Sequence, residues 1–224
     1  MATAEGDAAG TGRGGLMKAE TAVDETILRD IQKRVTLRDG RTITVRRMQP
    51  DDVQRSYEFF CALPADDRKY LRVDVTRRDL VERRTLETDE RRTVRVVAEH
   101  DGEIVADGTL ELEGHGWGNN VAEVRLIVAS SWQRLGLGTV MARELFNLAS
   151  QHRVDRIVAR LMRPQAGAHR IFKRLGFHEE FLIPEHVRDQ SGAWQDLIIM
   201  RCPLEDLWQD LEFELANGDF QRHR

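Results

Sequence analysis

Cysteine is scarce in this 224-residue chain, with only Cys61 and Cys202 present. Both lie in apolar stretches, which argues against a disulfide framework and for buried thiols in a reducing compartment. No apolar run approaches the roughly 20 residues that cross a bilayer. The first residues carry alanine and glycine where a signal peptide has an apolar core, so the expected location is cytoplasmic, with no membrane partner. A basic excess is missing too: 34 Lys and Arg stand against 38 Asp and Glu, for a formal net charge of −4. No global positive field therefore argues for a nucleic-acid partner. No Cys/His spacing suggests a metal. Residues 1–15 are nearly devoid of large apolar side chains and cannot offset the entropy of ordering, so residues 1–20 are expected to be a disordered tail.

What remains is enough for one domain with a sizeable core. Val23, Ile27, Leu28 and Ile31 recur at helical spacing and predict an amphipathic helix over 21–34. Residues 35–37 and 42–46 flank Asp39-Gly40, and 93–99 and 103–111 flank His100-Asp101-Gly102, so each pair predicts a hairpin. Between the hairpins, Pro50-Asp51-Asp52 opens a helix with Val53, Tyr57 and Phe60 on one face. The charged stretch 66–90 carries a sparse apolar periodicity suited to one or two covering helices. Residues 122–129 extend the sheet, a helix runs to about Gln151, and 156–161 return as a strand, making a strand–helix–strand crossover. A shorter helix over 164–175 ends at Gly176, a strand follows over 194–201, and a last amphipathic helix is expected over 204–216. Antiparallel hairpins leading into one parallel crossover give a mixed α+β fold, one sheet flanked by helices.

The stretch that carries chemistry runs from Glu123 through an apolar strand into Gln133-Arg134-Leu135-Gly136-Leu137-Gly138-Thr139 and then a helix. Glycines at 136 and 138 let backbone approach a ligand closely, and the opening amides of a helix lack intrahelical partners, so this is an anion cradle. A dinucleotide loop of the form Gly-x-Gly-x-x-Gly wants glycine at 141, where Met141 stands. A triphosphate loop wants Gly-Lys-Ser or Gly-Lys-Thr, and Gly138 is followed directly by Thr139. Both common phosphate loops are disfavoured.

The loop 133–138, followed about forty residues on by Ile171-Phe172-Lys173-Arg174-Leu175-Gly176-Phe177, resembles the GNAT superfamily of acetyl-CoA-dependent N-acyltransferases over residues 35–202, with 203–224 a C-terminal helix and tail. Asp39-Gly40-Arg41, Phe59-Phe60-Cys61-Ala62-Leu63-Pro64 and Ala122-Glu123 are similar to the acetyltransferase domain of bacterial protein lysine acetyltransferases. The resemblance implies a central mixed sheet flanked by helices, acetyl-CoA as co-substrate and an amine acceptor, foremost a protein lysine ε-amino group. A small-molecule amine acceptor and a non-catalytic acyl-CoA-binding module are the alternatives.

By the same resemblance, Gln133, Arg134, Leu135, Gly136, Leu137, Gly138 and Thr139 hold the pyrophosphate, and the backbone of Leu126, Ile127 and Val128 pairs with the pantetheine arm like an added strand. Arg143 stands near the phosphates. Glu123, at the start of the central strand, is the implied general base that takes the proton from the attacking amine. Phe172 occupies the place where many members carry a tyrosine that protonates the leaving thiolate, and phenylalanine has no proton to give. Gln165 stands where an asparagine commonly binds the cofactor arm. His115 and His169 are weaker candidates, the first in a glycine-rich loop and the second on the helix before Leu175.

Overall fold

The computed structural model describes residues 31–86, 89, 92–112, 118 and 120–204. Strands β1 (Gln32–Thr36) and β2 (Thr42–Arg47) form the first hairpin, closed at Gly40, whose φ of +87° suits glycine. Helices α1 (Val53–Ala62), α2 (Ala65–Arg68) and α3 (Arg78–Leu86) precede β3 (Thr93–His100) and β4 (Glu103–Leu112). The chain continues through β5 (Val121–Val128), α4 (Leu137–Gln151), β6 (Arg156–Met162), α5 (Ala166–Arg174), β7 (His178–Arg188) and β8 (Trp194–Pro203). The eight strands form one sheet in the order β1-β2-β3-β4-β5-β6-β8-β7. Its pairings are antiparallel except β5 with β6, which α4 joins by crossing over the sheet.

Strand alternation assigns each face its neighbour. Val94, Val96, Ala98, Ala106, Leu110, Ala122 and Val124 point to α4, whose Leu137, Met141, Leu145, Phe146 and Leu148 are buried against them. A Cβ at Gly108 would lie 3.2 Å from Leu145 Cδ1 and from Val96 Cγ2, so glycine there lets helix and sheet approach. On the opposite face Phe59, Phe60, Leu63, Val75 and Val81 pack on Val97 and Ile104. Burial of each such side chain contributes about 1.5–3 kcal/mol.

Three expectations change. Gln32–Arg34 belong to a strand paired with β2 rather than to the helix placed over 21–34, and the rest of that segment through residue 30 lies outside the described residues. The described strands run past two expected strand bounds: β1 starts before residue 35, and β8 runs on through Pro203. The tail over 1–20 and the C-terminal helix over 204–216, beyond Leu204, lie outside the described residues as well. β7 has no counterpart in the sequence reading: it is an almost fully exposed edge strand containing Pro184, and its apolar residues cluster at 181–183 with no period-two signal. Cys202 is buried as expected, whereas Cys61 is only half-buried.

Candidate active site

The parallel pair β5 and β6 stays hydrogen-bonded only from Val121 opposite Arg156 to Glu123 opposite Val158. Beyond Glu123 the strands diverge, leaving 124–128 without a strand partner on that side while β4 pairs the other. A cleft opens in the split, lined by Leu126 and Ile127 on one wall, Gln165, Ala168 and Phe172 on the other, and Tyr70, Arg72, Arg84, Asp107, Arg125 and Arg160 at its polar end. An exposed β5 edge of this kind can take an extended ligand by main-chain hydrogen bonds.

The β5–α4 loop leads out of the cleft. Arg134 with φ +63° and Gly136 with φ +91° alternate with ordinary residues, which turns successive amides to one side as an anion nest. The first intrahelical bond is Val140 N–H to the Gly136 carbonyl at 3.1 Å, so the amides of Leu137, Gly138 and Thr139 stand free of the helix ladder. A Cβ at Gly138 would lie 3.2 Å from Ile171 Cδ1. The bare backbone there keeps the cradle open, and these residues fit an anionic pyrophosphate. Trp132 braces the loop: it stacks edge-on with His100 at 4.8 Å and lies 3.7 Å beneath the Arg41 guanidinium, while Arg38 N–H donates to the Leu135 carbonyl at 3.4 Å. The first hairpin thus positions the loop.

Gln133 lies beside the cradle but uses its side chain on the fold, donating from Nε2 to the Val128 carbonyl at 3.2 Å. Gln165 accepts from the Met162 amide through Oε1 at 2.8 Å, which leaves its Nε2 to face the cleft. Phe172 is 2% exposed and packs edge-on to Phe177 at 5.0 Å. The two residues close the end of α5: Phe177 N–H donates to the Phe172 carbonyl at 3.0 Å and Gly176 N–H to the Lys173 carbonyl at 3.3 Å, with Gly176 at φ +82°. This double bond with its apolar contact is a Schellman cap, and it gives Leu175-Gly176-Phe177 a structural reason. His169 pairs with Glu179 at 2.6 Å and does not line the cleft, and His115 lies outside the described residues.

Glu123 is 6% exposed at the vertex of the split. Its Oε1 accepts from Arg72 and its Oε2 from Arg160 at 2.5 Å, with Arg125 Nε 3.9 Å away. The expected strand-end carboxylate is therefore buried and clamped by arginines. Asp107, which the sequence reading passed over, is 2% exposed, accepts from Arg84 through Oδ1, and keeps Oδ2 buried with no hydrogen-bond partner. It stands opposite Ile127 in the β4–β5 register. Register rows Arg95–Thr109–Arg125 and Thr93–Glu111–Glu123 continue the same polar face. Their signal in the sequence is charge at period two inside otherwise apolar strands.

The family model for the acetyltransferase (GNAT) family matches residues 57–177. The chain belongs to the GNAT acetyltransferase family. As a member it is an acetyltransferase with acetyl-CoA as co-substrate. The fold is shared with the GNAT domain of S. lividans PAT at 19% identity and a TM-score of 0.65, over 77% of this chain and 96% of that one. It is shared with yncA from Salmonella typhimurium, solved with acetyl-CoA, at 20% identity and a TM-score of 0.62, over 72% and 94%. A third likeness is the ribosomal-protein-S5-alanine acetyltransferase from Vibrio fischeri, at 15% identity and a TM-score of 0.68, over 80% and 99%. No curated protein matches the sequence. In this GNAT acetyltransferase, among the described residues, no group of His, Cys, Asp and Glu is placed to hold a metal ion, and no helix is long and apolar enough to cross a membrane.

Proposed function

We propose that the enzyme transfers an acetyl group directly from acetyl-CoA to a primary amine held in the β5–β6 cleft. The observation that carries the reading is the split itself: an open β5 edge at 124–128 leads from the anion nest at 134–139 to a polar pocket. Bound there, acetyl-CoA supplies the acetyl group as a thioester. The nest amides hold the pyrophosphate, the backbone of Leu126, Ile127 and Val128 aligns the arm, and Phe172 and Ala168 keep water from the thioester end. A C–N bond forms, the C–S bond breaks, and CoA leaves as the thiolate, which takes its proton from water or from another group, since Phe172 has none to donate.

The amine must arrive neutral or lose its proton on attack. Glu123 serves as the proton acceptor, directly or through water, once a guanidinium leaves one of its oxygens. A specific observation favours Asp107 as a second candidate: its Oδ2 is buried and unpartnered in the same cleft, beside Ile127. Protein lysine is the acceptor implied by the sequence resemblance, but Arg72, Arg84, Arg125 and Arg160 at the cleft repel a lysine-rich protein surface more than a single small amine.

The test is release of free thiol from acetyl-CoA by the purified protein over a panel of lysine peptides and small amines. Glu123→Gln should slow turnover by roughly a hundredfold, the scale of a lost general base. Unchanged turnover in that variant with a comparable loss in Asp107→Asn reassigns the base. Thermal stabilisation by acetyl-CoA without thiol release from any amine makes the chain a binding module instead.

A further inference from the structure

Guanidinium groups crowd one side of the cleft: among the described residues Arg72, Arg84, Arg95, Arg125 and Arg160 gather around Asp107, Glu111 and Glu123. This is no solvated charge run. Nε and Nη1 of Arg95 and Nε of Arg125 are buried without hydrogen-bond partners. Burial first, and then the neighbouring guanidinium groups, push Arg95 down to about 10 and Arg125 down to about 9. Buried guanidinium nitrogens without a hydrogen-bond partner are costly until an acceptor completes them.

Arg72 and Arg160 line both this cleft and the adjoining cavity beside Thr93, Glu111 and Leu112, with side chains 42% and 40% exposed. Each presents a planar fork suited to an oxyanion. Both are engaged with Glu123, so an incoming oxyanion takes over their pairing, and the buried carboxylate it displaces is left to take the proton of the attacking amine. At the Ile127 end, the unpartnered Asp107 Oδ2 gives an ammonium its complement. A cationic acceptor lacking an oxyanion meets only like charge at Arg72, Arg125 and Arg160.

From this arrangement we infer that the acceptor is a small amine that also carries an oxyanion, a carboxylate or a phosphonate-type group, received by Arg72, Arg125 and Arg160 in place of Glu123. The inference rests on the acetyl-transfer reading above. It is tested on the full chain with matched acceptors: a short amino carboxylate with its amide and its decarboxylated amine, an aminoalkyl phosphonate with its neutral diester and the alkylamine lacking the phosphonate, and a lysine peptide. Thiol release should show kcat/KM at least about tenfold higher for an oxyanion-bearing acceptor than for its neutral counterpart, the scale of one charge-assisted hydrogen bond. Arg160→Gln and Arg72→Gln should erase most of that preference through KM, and Arg160→Lys should keep part of it. The carboxylate and phosphonate arms tell which oxyanion is preferred. Thiol release with the neutral amine or the lysine peptide preferred, or a preference untouched by both glutamine variants, overturns the inference while acetyl transfer stands. Calorimetric titration into CoA-saturated protein separates the opposite case: oxyanion amines that bind through Arg160 with no thiol release support the anion subsite and sink acetyl transfer.

Discussion

Arg160 donates to Glu123 across 2.5 Å at the level of the last hydrogen-bonded pair between β5 and β6. The ion pair therefore sits where the sheet parts. Arg160 is the first β6 residue on that face beyond Val158, so the same divergence that opens the β5 edge also places the guanidinium over the carboxylate.

A double-mutant cycle on Glu123→Gln and Arg160→Gln should show a coupling of about 1 kcal/mol. Glu123 is buried, but Arg160 is two-fifths exposed, and solvent screening keeps the value at the lower end of the range. Urea unfolding of the four proteins measures it, and additive losses would show that the pair does not hold the vertex together.

Gly136→Ala forces a Cβ onto a left-handed residue at φ +91°, a strain of about 1–2 kcal/mol. Relief of that strain turns the nest amides away from the phosphate. KM for acetyl-CoA should rise about tenfold with a smaller change in the acceptor's KM. In Gly138→Val the bulk added toward Ile171, already 3.2 Å from a Cβ, should act in the same direction.

Asp52 is fully buried and accepts from both Nη atoms of Arg46 at 2.7 and 2.9 Å and from the Gln49 amide at 2.7 Å, with Arg55 2.6 Å away. Burial pushes its carboxyl up, but the Arg46 bonds, the Gln49 amide and Arg55 overcome it and hold the group below its ordinary range. A depressed value means the stabilisation is fully present above the unfolded value of about 3.9 and is lost as pH falls through the folded one. Asp52→Ala should cost about 3–5 kcal/mol at neutral pH, and Asp52→Asn should flatten the acid limb of a plot of unfolding free energy against pH.

Arg95→Met should raise stability by about 1 kcal/mol in the unliganded protein, because it removes a buried cation with two unpartnered nitrogens. The folded protein holds that proton less tightly than the unfolded chain does, so the cost is present at neutral pH and is relieved as pH rises through about 10. Thermal melts from pH 7 to 10.5 should show the variant's advantage shrinking with pH. A constant difference would place the effect in packing.

Much of this molecule follows from local sequence. Asp39-Gly40 and Asp101-Gly102 dictate their hairpins because the positive φ of Gly40, Asp101 and Gly102 leaves the chain few other routes. The α4 stripe, the crossover and the Gly136 loop are local in the same sense, and Leu175-Gly176-Phe177 writes its own helix cap. The strand β7 was illegible because an exposed edge strand has no buried face to impose alternation, and Gln32–Arg34 became a strand because β2 supplies a partner that helical spacing cannot reveal.

The basic end of the cleft was not a local property. Arg72 lies in the stretch after α2, Arg84 on α3, Arg95 on β3, Arg125 on β5 and Arg160 on β6. Nothing in their spacing joins them, and only strand register and the packing of α3 on the sheet bring them around Asp107, Glu111 and Glu123. The sequence by itself determined the anion nest, since a loop and the helix it opens carry their own hydrogen-bonding geometry. Only the tertiary structure decided that Glu123 is clamped, that Asp107 has a free oxygen, and that the cleft is basic, because burial and long-range charge depend on which distant residues the sheet makes neighbours.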